Sequence, residues 1–313
     1  AWATRFAALP DEGAWAALRS AVSFSGRALD ATARSTPILP LPVNASGPRL
    51  PTQPAVMLDL PDRLAVQKPV GWEADQVKHA PQRAEALADD AVPRQLSSYL
   101  QALLPCRQWP ILDDDTHQLG ILHRLDVPSS GLILVAKTYE AYYDMQWQLS
   151  VGALTREYVV VCRGWVPPRR RSVEARVLWA EGDTAPSSVD RRGRPSQTLV
   201  KVKADAWYLG LAYCLLVIRI VTGRRHQIRV HTAHLGHPTA CDGKYTAPGT
   251  QQEDRAWCPR NFLHRHRLAF CDSASQQHDV LLPLPPDLVA AFGRLTARGG
   301  ASAKASLTHI ISC

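Results

Sequence analysis

His123-Arg124-Leu125-Asp126-Val127-Pro128-Ser129-Ser130-Gly131-Leu132 lies between two short apolar runs, 121–122 and 132–136. Apolar runs of this length around a Pro/Ser/Gly turn read as two strands joined by a loop. An aspartate at the end of the first strand is placed to present its carboxylate into a cleft. The same residue type also caps turns by accepting from nearby backbone N–H groups, and the segment alone does not separate the two readings.

Outward from this loop, the pattern is that of an α+β domain. Residues 94–104 place Leu96, Tyr99, Leu100, Leu103 and Leu104 on one side of a helix. Residues 158–162 and 211–221 are rich in Val, Ile, Leu and Tyr and read as strands. A Thr222-Gly223-Arg224 turn precedes a helix over 226–235, and a last helix is expected over 288–295. Residues 11–29 carry Trp15, Leu18 and Val22 at helical spacing. Prolines at 37, 40, 42, 48, 51 and 54 make 36–54 an extended linker, because proline removes donors and fixes φ. The expected organisation is an N-terminal extension with its linker over 1–55, a catalytic domain over 56–297 and a frayed tail over 298–313.

The 313 residues, 46% apolar, supply enough material for one large core or two modest ones, which excludes disorder throughout. Lysine plus arginine numbers 36 against 28 acidic residues, a net +8 that favours a polyanionic partner such as nucleic acid. The positive charge gathers in Arg156, Arg163, Arg169, Arg170 and Arg171, and again in Arg191, Arg192, Arg194, Lys201 and Lys203. Guanidinium forks suit phosphate oxygens, although each cluster is equally a solvated face. The uncharged stretch 206–218 is too short for a membrane helix, which needs about 20 residues, and reads as one buried strand. Seven cysteines, scattered and never spaced C-x-x-C, suit reduced thiols in an intracellular compartment rather than a disulfide framework. No signal-peptide pattern is seen from Ala1, and a targeting segment upstream of it is left open. His231, His234 and His237 are three apart, but Gly236 and Pro238 end the helix before His237, which argues against a metal site.

In combination these segments resemble the RluA-type pseudouridine synthases. The signature H-R-L-D-x-x-[TS]-S-G-L matches His123 to Leu132. T-G-R-x-H-Q-I-R-V-H with a following L-G-H-P and D-x-x-Y is represented by Thr222 through Pro238, Asp242 and Tyr245. Lys68-Pro69-Val70-Gly71 is similar to the family's K-P-x-G, and Arg156-Glu157-Tyr158 to its basic-x-tyrosine strand. Leu263-His264, Leu268, Phe270 and Pro285-Pro286-Asp287-Leu288 follow its closing pattern. The resemblance spans roughly 60–290, in order. This chain departs from it at Trp72-Glu73-Ala74, at Arg156 where lysine is commoner, and at Cys241 where glycine is usual. A positive φ at Cys241 would carry strain.

The resemblance implies a mixed, largely antiparallel sheet flanked by helices and loops around a central cleft. It implies isomerisation of uridine in ribosomal or transfer RNA to pseudouridine, with no cofactor and no metal. Moving uracil from an N1 to a C5 linkage needs one carboxylate near C1′ and C2′, and Asp126 fits that need by attack or by proton removal. By resemblance Arg229 is its charge partner, Arg124 supports base flipping, and Tyr158 stacks on the flipped base. Arg124 points away from Leu125 if the segment is extended. Arg156, Arg169, Arg170, Arg171 and Arg224 are expected to bind RNA, His123 to be structural, and the protein to act as a monomer off the membrane. The competing reading is a catalytically silent RNA-binding module of the same fold, with a metal-dependent hydrolase third.

Overall fold

The computed structural model describes residues 53–74, 94–179 and 185–298, all within the unit Leu50–Cys313. The expected helix over 11–29, nearly all of the proline-rich stretch and the tail beyond Arg298 lie outside the described residues.

Strands β1 (Ala55–Asp59), β2 (Arg63–Lys68), β3 (Trp72–Glu73) and β4 (Arg94–Gln95) lead into helix α1 (Leu96–Leu103). Then follow β5 (Ser130–Ala136), α2 (Tyr139–Ser150) and β6 (Thr155–Arg163). An arm of short strands comes next: β7 (Ser172–Glu174), β8 (Val177–Leu178) and β9 (Ser188–Val189). The long hairpin β10 (Gln197–Tyr208) and β11 (Leu211–Ile220) precedes α3 (Gln227–His234) and α4 (Pro248–Arg255). The described chain closes with β12 (Leu263–Cys271), β13 (Gln277–Leu281), α5 (Pro286–Gly293) and β14 (Thr296–Ala297).

The main sheet runs β1-β2-β5-β12-β6-β11-β10-β14, with β13 on β12 and β7 on β10. Every pairing in it is antiparallel except β5 with β12. Strand β5 is buried along its whole length because both its faces are covered. On β6, Tyr158, Val160 and Cys162 enter one core, with Leu132, Leu134, Leu216 and Ile218. Val159 and Val161 point the other way, into a second core with Trp257, Phe262 and Phe292. The Asp126 loop belongs to the first face, where Leu125 is buried.

Four expectations change. Stretch 206–218 is not one strand: Leu209 (φ 47°) and Gly210 (φ 81°) turn the chain between β10 and β11. Two consecutive positive φ values match the right-handed twist of a tight hairpin, and the apolar run hid a turn in which Leu209 is 86% exposed. Ile121 makes only an isolated bridge to Val135, so 121–122 is not a strand. Arg94 and Gln95 are extended and pair with Trp72 and Glu73, so the helix begins at Leu96. The helix expected from His226 begins at Gln227, with His226 left-handed at φ 56°. Among the described residues no helix is long and apolar enough to cross a membrane.

Candidate active site

The Asp126 loop is held from three sides. Ser129 N–H donates to the Asp126 carbonyl at 3.0 Å, closing the turn, and Gly71 N–H reaches the Val127 carbonyl at 2.9 Å. Lys68, fully buried, donates to the carbonyls of Pro69 (2.9 Å), Trp72 (2.8 Å) and Ser129 (2.7 Å). Burial pushes its amine down to about 7, so three carbonyl dipoles serve where a carboxylate would be usual. From β12, Arg265 donates to His123 Nδ1 (2.7 Å), the Leu132 carbonyl (2.9 Å) and the Arg124 carbonyl (3.2 Å). Arg124 itself is exposed while Leu125 is buried, the opposed orientation expected of an extended segment.

Arg229 comes from α3 and joins two carboxylates. Its Nε and Nη2 form a fork to Asp242, at 2.7 and 2.6 Å, and its Nη1 donates to Asp126 Oδ2 at 2.9 Å. Asp242 is fully buried and also accepts from Thr239 Oγ1, Asn261 Nδ2 and Lys244 N–H. Satisfied on every side, Asp242 fixes the guanidinium so that one N–H remains for Asp126. Burial raises the Asp126 carboxyl, but the positive groups around it, Arg229 foremost, together outweigh that effect and hold it below the usual carboxylate range. Asp242 is lowered on the same balance. Oδ1 of Asp126 lies 3.9 Å from His226 Nε2, and the side chain is 17% exposed. The product is an ionised carboxylate with one oxygen bonded to Arg229 and the other facing His226.

Two residues complete this wall without having been singled out from the sequence. The Tyr245 hydroxyl lies 2.9 Å from His226 Nδ1 and its ring centroid 5.2 Å from the Arg229 guanidinium. Burial pushes His226 down to about 4, so it is neutral at pH 7. Tyr245 stood in the D-x-x-Y pattern; His226 had no signal beyond its motif position.

The remaining expected residues divide sharply. Tyr158 is 3% exposed, and Arg265 Nε donates to its hydroxyl at 2.9 Å. Arg169, Arg170 and Arg171 are exposed. Arg156 does not belong with them: it is 4% exposed. Arg163, from the same sequence cluster, is tied to Glu253 and Asp254. Arg224 is half-buried at the turn before α3. The three histidines do not converge. His231 spends its ring nitrogens on Thr198 Oγ1 and the Ala175 carbonyl, and His237 Nδ1 meets the Arg163 carbonyl. No cluster of metal-ligating side chains occurs among the described residues. Cys241 has the positive φ, 57°, that its place in the motif suggested; its N–H donates to buried Asp254 at 2.8 Å.

Residues 107–234 match a protein family described as RNA pseudouridylate synthase. A ribosomal large subunit pseudouridine synthase C of Haemophilus ducreyi is 32% identical over 186 residues, 57% of this chain and 56% of that protein. A ribosomal large subunit pseudouridine synthase D of Nitrosomonas europaea is 35% identical over 177 residues, 55% and 49% of the two chains. The chain thus spans about half the length of these relatives. Among solved structures, human RNA pseudouridylate synthase domain containing 1 superposes with a TM-score of 0.58 at 20% identity, covering 83% of this chain and 95% of that one. Human domain containing 4 gives 0.52 at 17%, covering 77% and 93%. These two likenesses concern the fold alone.

Proposed function

This chain carries a domain of the RNA pseudouridylate synthase family, of the RluA type, and on that premise we propose that it isomerises uridine in RNA to pseudouridine with Asp126 as the catalytic carboxylate. The reaction breaks the N1–C1′ bond, forms C5–C1′, removes the C5 proton and returns one to N1. No electrons are gained or lost, so the scheme needs no redox group. Whether Asp126 attacks C1′ or removes the C2′ proton, it must be ionised and reachable. The observation that carries the reading is the Arg229 bridge, which engages one oxygen of a partly exposed Asp126 and leaves the other 3.9 Å from His226 Nε2.

The target base must leave its stack, at a cost of a few kcal/mol in structured RNA. In this reading Arg124, exposed and two residues before the carboxylate, fills the vacated position. Ribosomal large-subunit RNA, the class in the relatives' names, is the first substrate to try. Asp126→Asn keeps the shape and the acceptor oxygen but can neither attack nor abstract. It is expected to bind RNA as the wild type does and to release no tritium from 5-tritiated uridine. Retained tritium release would remove Asp126 from the chemistry.

A further inference from the structure

Arg156, on β6 two residues before Tyr158, is a buried cation without a counter-ion. Its hydrogen bond is from Nη2 to the Val221 carbonyl, 3.0 Å, and its Nε is buried with no partner. No carboxylate among the described residues pairs with it, and its charged neighbours Arg265 and Arg224 are also positive. Burial lowers its pKa to about 10, which leaves it charged at neutral pH. Arg224 repeats the arrangement: its Nε is buried and unpartnered, and its Nη2 reaches only the Pro195 carbonyl, at 3.4 Å. Gly223, exposed, lies between them. A Cβ there would come 2.8 Å from Arg156 Nη1, so the absence of a side chain keeps that nitrogen uncovered.

Buried like charges repel and are costly to desolvate, and an arriving anion relieves both effects. A phosphate oxygen matches unused guanidinium N–H groups in charge and geometry. Arg156 shares a strand with Tyr158, and Arg224 lies in the turn that leads into α3, the helix of Arg229, so an anion held here would belong to the molecule that reaches Asp126. We propose that Arg156 and Arg224, on either side of Gly223, form a seat for one phosphodiester of the RNA flanking the uridine at Asp126. This rests on the RNA-isomerase reading above.

Arg156→Met keeps the apolar stem and removes the charge. Thermal unfolding in phosphate-free buffer is expected to show the variant at least as stable as the wild type, whereas a cation with a purely structural role would leave it weaker. Anisotropy of a fluorescein-labelled, uridine-containing stem–loop RNA should give about tenfold weaker binding, as for one lost charge-assisted contact. The slope of log K against log salt should become shallower by about 0.7–0.9. Gly223→Ala keeps both charges but sets a methyl against Nη1; it should weaken binding in the same direction, and it decides the matter if Arg156→Met does not fold. Wild-type affinity and slope in the variants would overturn the seat. So would a wild-type melting temperature raised by inorganic phosphate, and not in Arg156→Met, with an unchanged RNA slope: the site would then take free phosphate. Tritium release by the wild type, read separately, distinguishes failure of the seat from failure of the isomerase reading.

Discussion

Asp126 and Asp242 share one guanidinium, and their difference lies in what else each touches. Asp242 has five donors and no exposure; Asp126 has one donor and an oxygen facing His226. His226 makes this region sensitive to pH. Burial lowers its pKa to about 4, against about 6.5 in an unfolded chain. Between those values the unfolded chain takes up a proton that the folded one refuses, so stability falls as pH drops from about 6.5 to 4. His226→Gln should flatten that segment of the urea-midpoint curve relative to wild type. Below it both proteins should lose stability together, as Asp126 and Asp242, whose lowered pKa values stabilise the fold at neutral pH, become protonated. Identical wild-type and variant curves between pH 4 and 6.5 would show that His226 titrates normally. Asp126 and Arg229 were legible in the sequence because each sits in a dense motif. Arg265 was not: its partners His123, Arg124 and Tyr158 are 142, 141 and 107 residues away, and only the folded sheet brings them together. The burial of Arg156 was not legible either, since neighbouring surface arginines concealed its inward position on β6.

At the scale of elements, the parallel pairing of β5 with β12 sets the site, because it carries Gly131 and Arg265 past each other. Gly131 has φ 133°, and a Cβ there would fall 2.4 Å from the Arg265 carbonyl oxygen and 2.5 Å from its nitrogen. Backbone cannot swing aside as a side chain can. Gly131→Ala is therefore expected to cost about 3–5 kcal/mol, overpacking and a disfavoured φ acting together. Chemical denaturation measures this, and a loss under about 1 kcal/mol would mean the strands separate easily. The requirement for glycine was visible in the motif, but its reason was not, since β12 is 134 residues away in the His264–Ser130 pairing. Elements with strong local patterns, α1, β6 and β11, were legible to within a few residues. Strand β12, with His264, Arg265, His266 and Arg267 in its interior, lacks any such pattern. It is a strand because its neighbours supply partners on both edges. The 206–218 error has the same origin, because period alone cannot find a turn inside an apolar run.

Over the whole molecule, the excess of positive charge was countable from the sequence but its disposition was not. Folding buries some arginines, Arg229 and Arg265 at the site among them, and leaves others facing solvent. Arg192 is partly spoken for by Asp190, whereas Arg169, Arg170 and Arg171 stand exposed on a turn whose backbone is fixed, with Val200 N–H donating to the Arg171 carbonyl at 2.8 Å. Charges on an anchored turn suit phosphate contacts, which position an RNA without reading its sequence. Each such contact adds about −0.7 to −0.9 to the slope of log K against log salt. Reversing Arg169, Arg170 and Arg171 to glutamate should therefore flatten the slope by about 2 to 3 and weaken unrelated RNAs to the same degree. Asp126→Asn should leave the slope unaltered, because it removes no cation that pairs with a phosphate. Titrations of two unrelated RNAs at several salt concentrations give both answers. If the triple reversal changes which RNA is preferred while the slope stays put, these arginines read bases or shape, and the positioning of RNA must come from elsewhere on the surface.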